Sequence, residues 1–170
     1  MENPLAEGAN AFRIRAMTED NARAVLLWRY APPYHLYNAA PGEPEEAVGV
    51  MTDPQFAYHS ICNERGEVEA FCCFGGDARV PGGDYASEAV DIGLGVRPDL
   101  TGRGHGHAYV RAALTIAVSD HSRTVLRVTV AAFNTRALRV WEKAGFSRTA
   151  RFQRIADDLT FIVLTRAAEP

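Results

Sequence analysis

Phe12 and Ile14 alternate with Arg13 and Arg15 in "AFRIRAM", the two-residue period of a strand with one buried face. Thr18 is placed to cap a helix, because Ala22, Val25, Leu26 and Arg29 then recur at helical spacing. The next stretch, "WRYAPPYHLYNAAPGEPEE", is too broken by proline to be one regular element. "QFAYHSIC" and "VEAFCCF" read as two strands joined at Asn63-Glu64-Arg65-Gly66, a hairpin turn with glycine where positive φ is needed. After the loop "GGDARVPGGDYAS", the strand "EAVDIGLGV" breaks at Arg97-Pro98. A helix follows over about 105–119, with Val110, Leu114, Ala117 and Val118 as its apolar stripe. "TVLRVTVAAF" is a strand, and Asn134 caps a second helix whose stripe is Ala137, Val140, Trp141 and Ala144, ended by Gly145. "SRTARFQRI" and "LTFIVLTR" close the chain as strands. The order is β α β β β α β α β β, with room for a further helix after the first. It predicts a mixed α/β sheet in a single domain over residues 1–170, in which only the later strand–helix–strand crossover demands parallel pairing.

Composition narrows the picture. A chain of 170 residues suits one domain with a real core. A net charge of −3 argues against nucleic acid as partner, since its binders concentrate positive charge. No run approaches the roughly 18 apolar residues that a membrane helix needs, and "MENPLAEGANAF" carries acids where a signal peptide would be apolar. Cys62, Cys72 and Cys73 are odd in number and two are adjacent, which suits buried thiols in a reducing compartment. The expectation is a cytoplasmic protein, monomeric or homodimeric, with no membrane association.

Candidate chemistry centres on "GVRPDLTGRGHGHAYV". Gly102, Gly104 and Gly106 occupy alternate positions at the mouth of a helix, a setting that cradles anions. A Walker A loop is excluded, because Lys143 is the sole lysine and lies far from it. The dinucleotide pattern G-x-G-x-x-G fails too, since its third glycine would fall at His107 or, counted from Gly93, at Pro98. His105 and His107 lack a third ligand at metal spacing, so no metal is expected. No zinc-peptidase or serine-hydrolase motif occurs.

What remains, Thr101-Gly102-Arg103-Gly104-His105-Gly106, resembles the acetyl-CoA loop of the GCN5-related N-acetyltransferases (GNAT), [Gln/Arg]-x-x-Gly-x-[Gly/Ala]. "NTRALRVWEKAGF" resembles that family's second motif, Asn-x-x-Ala-…-Tyr-x-x-x-Gly-Phe, at the expected distance. The resemblance implies a mostly antiparallel sheet of six or seven strands, splayed between the fourth and fifth and flanked by helices. It implies acetyl-CoA as co-substrate and direct transfer of acetyl, in a ternary complex, to a primary amine on a small molecule or peptide. Backbone groups of Leu94, Gly95 and Val96 would hold the pantetheine arm, and Asn134 and Trp141 belong to the second motif. Backbone N–H groups from Gly102 to Gly106, His105 included, would converge on the pyrophosphate with the helix dipole behind them. Arg103 would add charge there, and Thr101 replaces the family's Gln/Arg with a hydroxyl. Gly93 and Gly95 suit a bulge that aims an amide at the thioester carbonyl.

The same family often places a carboxylate base on the strand before the loop, where Asp91 and then Glu88 are the candidates, with a water relay or a backbone-assisted route as the alternative. Trp141 stands where the family carries its tyrosine acid, and an indole N–H is no practical proton donor. Tyr109, Tyr30 or Tyr37 could replace that tyrosine; otherwise the thiolate leaves unassisted. Cys72 or Cys73 as an acyl carrier is a remote alternative to simple packing. Trp28, Tyr30 and Tyr37 are expected on the acceptor side. The competing reading is a CoA-binding module of this fold with little or no catalysis.

Overall fold

The computed structural model describes residues 12–120 and 125–168, so the signal-peptide reading of the first residues lies outside them. Strands β1 (Arg13–Ala16), β2 (His59–Cys62), β3 (Val68–Phe74), β4 (Val90–Val96), β5 (Val125–Ala131), β6 (Ser147–Gln153) and β7 (Thr160–Ala167) form one sheet in the order β1-β2-β3-β4-β5-β7-β6. Helices α1 (Glu19–Leu26), α2 (Pro44–Thr52), α3 (Gly106–Asp120) and α4 (Thr135–Lys143) flank it. All neighbouring strands are antiparallel except β4 and β5. The α3 crossover produces that exception, because parallel neighbours cannot be joined by a hairpin. α2 is the further helix for which the sequence left room, and it opens on Pro44, which a first helical turn tolerates.

Period-two alternation in the central strands, offset by a register shift in the β2–β3 pair at Ile61/Cys62, feeds two cores on opposite faces. Ile61, Ala70, Cys72, Ile92, Leu126 and Val128 pack against α3 and α4. Cys62, Val68 and the half-buried Phe71 face the other way, onto Ala22 and Val25 of α1 and Val48 and Met51 of α2. Adjacent Cys72 and Cys73 therefore point to different faces; both are free thiols, and burial pushes each up to about 12. Thiols held protonated at neutral pH are poor nucleophiles, which removes the acyl-carrier alternative.

Local signals explain most boundaries. Thr18 Oγ1 accepts from the Asn21 amide at 3.3 Å, with Glu19 and Asp20 in the first turn of α1. Gly66 takes φ 83° in the β2–β3 hairpin, and Gly145 takes φ 91° just past α4. The α3 stripe departs from expectation. Tyr109, Val110, Ala112, Ala113, Ile116 and Ala117 are buried, whereas Leu114 is half-buried and Val118 is 41% exposed. Small residues let α3 sit close to the sheet, and Val118 lies one residue further round than the face that touches it.

The sheet opens in the middle. β4 and β5 pair from Val90↔Leu126 to Ile92↔Val128, and their register stops there. β4 stays paired to β3 as far as Ala70↔Val96, and β5 to β7 as far as Ala131↔Phe161. Gly93–Val96 and Thr129–Ala131 are therefore the two sides of a wedge. The expected bulge at Gly93–Gly95 is not found, because β3 and β4 keep one register through both glycines. Close packing explains them instead: a Cβ on Gly95 would collide with the Phe71 ring, and one on Gly93 would lie 2.7 Å from Cys73 Sγ.

Candidate active site

A cavity of about 750 Å³ fills the wedge and extends beyond it at both ends. Its middle is Gly93–Val96 on one side and Val128–Val130 on the other, with Val140 and Trp141 of α4 closing the wall. One end is cationic and rich in glycine. Gly102 (φ 71°) and Gly104 (φ 82°) turn the chain into α3, whose first N–H groups lack partners within the helix. A Cβ on Gly104 would meet no atom within 4 Å, so the loop leaves open space there, while one on Gly102 would lie 2.8 Å from Arg136 Nη1. Arg136, Arg139 and Lys143 of α4 line this end together with His107. Helix N-terminus, left-handed glycines and three cations make a seat for phosphate.

The expected loop residues divide. Thr101, Gly102, Gly104 and Gly106 line the cavity, but Arg103 and His105 are exposed and absent from its wall. The Thr101 hydroxyl donates to the Pro98 carbonyl at 2.8 Å, so it braces the loop. The positive charge assigned to Arg103 comes from α4 instead. Arg136, Arg139 and Lys143 recur at i, i+3 and i+7, one stripe beside the apolar face of that helix. That spacing was the signal for them in the sequence.

The other end is aromatic. Trp28, Tyr30, Tyr34, Tyr37, Tyr58 and Phe71 form its wall. The Phe71 ring lies between Trp28 (5.9 Å) and Tyr58 (6.0 Å), and Tyr30 meets Tyr37 edge-on at 6.2 Å. The Arg136 guanidinium rests over the Tyr34 ring at 4.1 Å, joining the two ends. Tyr34 belongs to the same aromatic segment as Trp28, Tyr30 and Tyr37, whereas Tyr58 and Phe71 had no sequence signal, because the β2–β3 hairpin brings them to the cavity.

Tyr30 serves both sides. It lines the cavity, but its hydroxyl donates to the Val96 carbonyl at 2.6 Å, which corrects Val96 as an open acceptor. Burial pushes the Tyr30 phenol up to about 12. Tyr109 donates to Glu69 at 2.8 Å. Tyr37 instead accepts from Asn134 Nδ2 at 3.1 Å, while Asn134 Oδ1 caps α4 by accepting from Ala137 N at 3.2 Å.

Neither expected carboxylate base reaches the cavity. Asp91 is 2% exposed, and Arg127 grips both its oxygens, Nε to Oδ1 at 2.5 Å and Nη2 to Oδ2 at 2.8 Å. Arg79 Nε adds a third contact to Oδ2 at 2.8 Å. A carboxylate whose lone pairs are committed to two guanidinium groups is a structural counter-ion. Glu88 is exposed, precedes β4 and lies off the cavity wall. One carboxylate does touch the wall indirectly, since the Tyr58 hydroxyl donates to Asp77 Oδ2 at 3.0 Å. Burial first, then the neighbouring Cys73 and Asp77, holds the Tyr58 phenol far above its ordinary range, so its proton stays on.

Trp141 is 5% exposed and meets Phe146 edge-on at 5.0 Å while one side faces the cavity. Packing sets its cost on replacement. Trp141→Ala should lower unfolding stability by about 3–5 kcal/mol. Trp141→Phe keeps the ring contact and leaves a smaller void, so it should lose less than Trp141→Ala. Urea denaturation of both variants checks the order.

The family model described as acetyltransferase (GNAT) family matches residues 22–146. Among solved structures, the yncA protein of Salmonella typhimurium, with its cofactor acetyl-CoA, has a TM-score of 0.67 at 17% identity over 94% of this chain and 95% of its own. A phosphinothricin acetyltransferase from Sinorhizobium meliloti in complex with AcCoA has 0.68 at 14% identity, covering 92% and 88%. A chimera of the Vibrio cholerae spermidine N-acetyltransferase SpeG and hSSAT has 0.72 at 13% identity, covering 92% and 95%. At these identities they share a fold with the chain. No curated protein matches it.

Proposed function

The chain belongs to the acetyltransferase (GNAT) family, and on that premise we propose that it is an acetyl-CoA-dependent N-acetyltransferase working through a ternary complex. One observation carries the reading: a single cavity joins a phosphate seat, an open strand edge and an aromatic chamber. Two fold neighbours hold acetyl-CoA and one is a spermidine N-acetyltransferase, which supports it.

When bound, acetyl-CoA supplies an acetyl group activated as a thioester. The N-terminal N–H groups of α3, with Arg136, Arg139 and Lys143, would hold its phosphates. Backbone groups of Gly93, Leu94 and Gly95, on the side of β4 that β5 has left, would bind the arm as a partner strand does. Trp141 and Val140 give it an apolar wall. An attacking amine must shed a proton. In this reading Tyr58 Oη takes that proton while its own passes to Asp77 Oδ2, a relay that keeps the phenol neutral throughout.

The test is turnover. Wild type should release free CoA thiol in step with acetylated amine. Tyr58→Phe should lower kcat by about 100-fold or more and leave acetyl-CoA affinity unchanged. The binding-only reading has Trp141 in its favour, since a tyrosine acid is missing there; tight acetyl-CoA binding without thiol release for any amine would establish it.

A further inference from the structure

No aspartate or glutamate lines the cavity among the described residues; of its fixed charges, all on α4, Arg139 and Lys143 stand at the phosphate end and Arg136 reaches the boundary between the two ends, over Tyr34. Beyond Tyr34, the part of the acceptor chamber walled by Val25, Leu26, Trp28, Met51, Tyr58 and Phe71 carries no charged side chain. The geometry points to a monoamine carried on an aromatic ring as the acceptor, and against a polyamine; this rests on the acetyltransferase reading above.

Two physical facts drive it. A second ammonium group in this chamber would lose its water with no carboxylate to pair with, and an unpaired buried cation is costly. Asp77 offers no such pairing, because it meets the chamber only through the Tyr58 hydroxyl. Meanwhile the Trp28–Phe71–Tyr58 row presents ring faces and edges at 5.9 and 6.0 Å centroid spacing, which a flat ring extends and an alkyl chain does not. The reactive nitrogen then needs only the single proton outlet that Tyr58 provides. A polyamine acetyltransferase thus shares the fold at a TM-score of 0.72, while the wall chemistry here selects differently.

The experiment has two stages on the full chain. Calorimetry first measures acetyl-CoA binding; no binding overturns the acetyltransferase reading and this inference with it. With acetyl-CoA saturating, kcat/KM is then compared for 2-phenylethylamine, n-butylamine and spermidine, with binding of each to the CoA-loaded protein measured alongside. The expected order places 2-phenylethylamine about tenfold above n-butylamine and roughly a hundredfold above spermidine. Ala39→Glu, at an exposed position on the cavity wall, should raise the relative use of spermidine severalfold by supplying the missing carboxylate. Acetyl-CoA binding combined with a preference for spermidine, with no binding of the aromatic amine, or with no gain of spermidine use in Ala39→Glu overturns the inference and leaves the acetyltransferase reading standing.

Discussion

Asp91→Asn should destabilise the domain by about 3–5 kcal/mol, the usual cost of removing one partner of a buried ion pair. Asp91 and Arg127 have side chains 2% and 5% exposed, so water cannot replace the lost charge on either. Arg127 would keep the Ser87 carbonyl at 3.0 Å and the Tyr85 ring at 4.9 Å, which hold it in place without neutralising it. The double variant Asp91→Asn/Arg127→Met should recover much of the loss, because an apolar side chain of similar volume removes the stranded cation. Guanidinium denaturation of the three proteins measures this. A folded Asp91→Asn protein of unchanged stability and collapsed kcat would return Asp91 to proton transfer and refute its structural role.

Gly104→Glu should weaken acetyl-CoA binding by at least about a hundredfold, since like charges set against each other in a site cost several kcal/mol. The position has φ 82° and open space around a would-be Cβ, so the new carboxylate projects into the seat without colliding with the protein. Left-handed backbone at a non-glycine residue adds roughly 1–2 kcal/mol of strain, which the domain should survive. Gly104→Ala separates the two effects, carrying the strain without the charge. Calorimetric affinity that is unaltered in Gly104→Glu, with cooperative unfolding intact, would remove the phosphate seat.

Legibility in the sequence followed the range of the interaction. Short-range chemistry was readable: Thr18 and Asn134 as caps, and Gly66 and Gly145 as left-handed residues. Each depends on neighbours within a few positions. Asp91 misled because its partner Arg127 is 36 residues away, brought opposite by the β4–β5 register, which no one-dimensional pattern displays. Gly93 and Gly95 suited a bulge on sequence grounds, yet what requires them is the Phe71 ring and Cys73 of β3. Arg136, Arg139 and Lys143 were visible as a helical stripe, but only the folded α4 shows them turned to the glycine loop. Tyr58 was invisible for a plainer reason, since nothing local marks a wall residue contributed by a hairpin.

β6 ends the sheet and exposes all its residues except the half-buried Phe152. A free strand edge is a template onto which another chain can stack, the first step toward aggregation. Two features of β6 oppose that. Its pairing with β7 shifts between Arg148 and Ala150, which breaks the regular spacing that an incoming strand would have to match. Arg151, with Arg148 whose Nε donates to Glu142 Oε1 at 2.6 Å, keeps charged side chains along the same short span, and a second copy laid antiparallel on it would have to accommodate them. The rim opposite the aromatic chamber in sheet order thus carries its own solubility device, and substituting both arginines with valine would convert an inert border into an adhesive one.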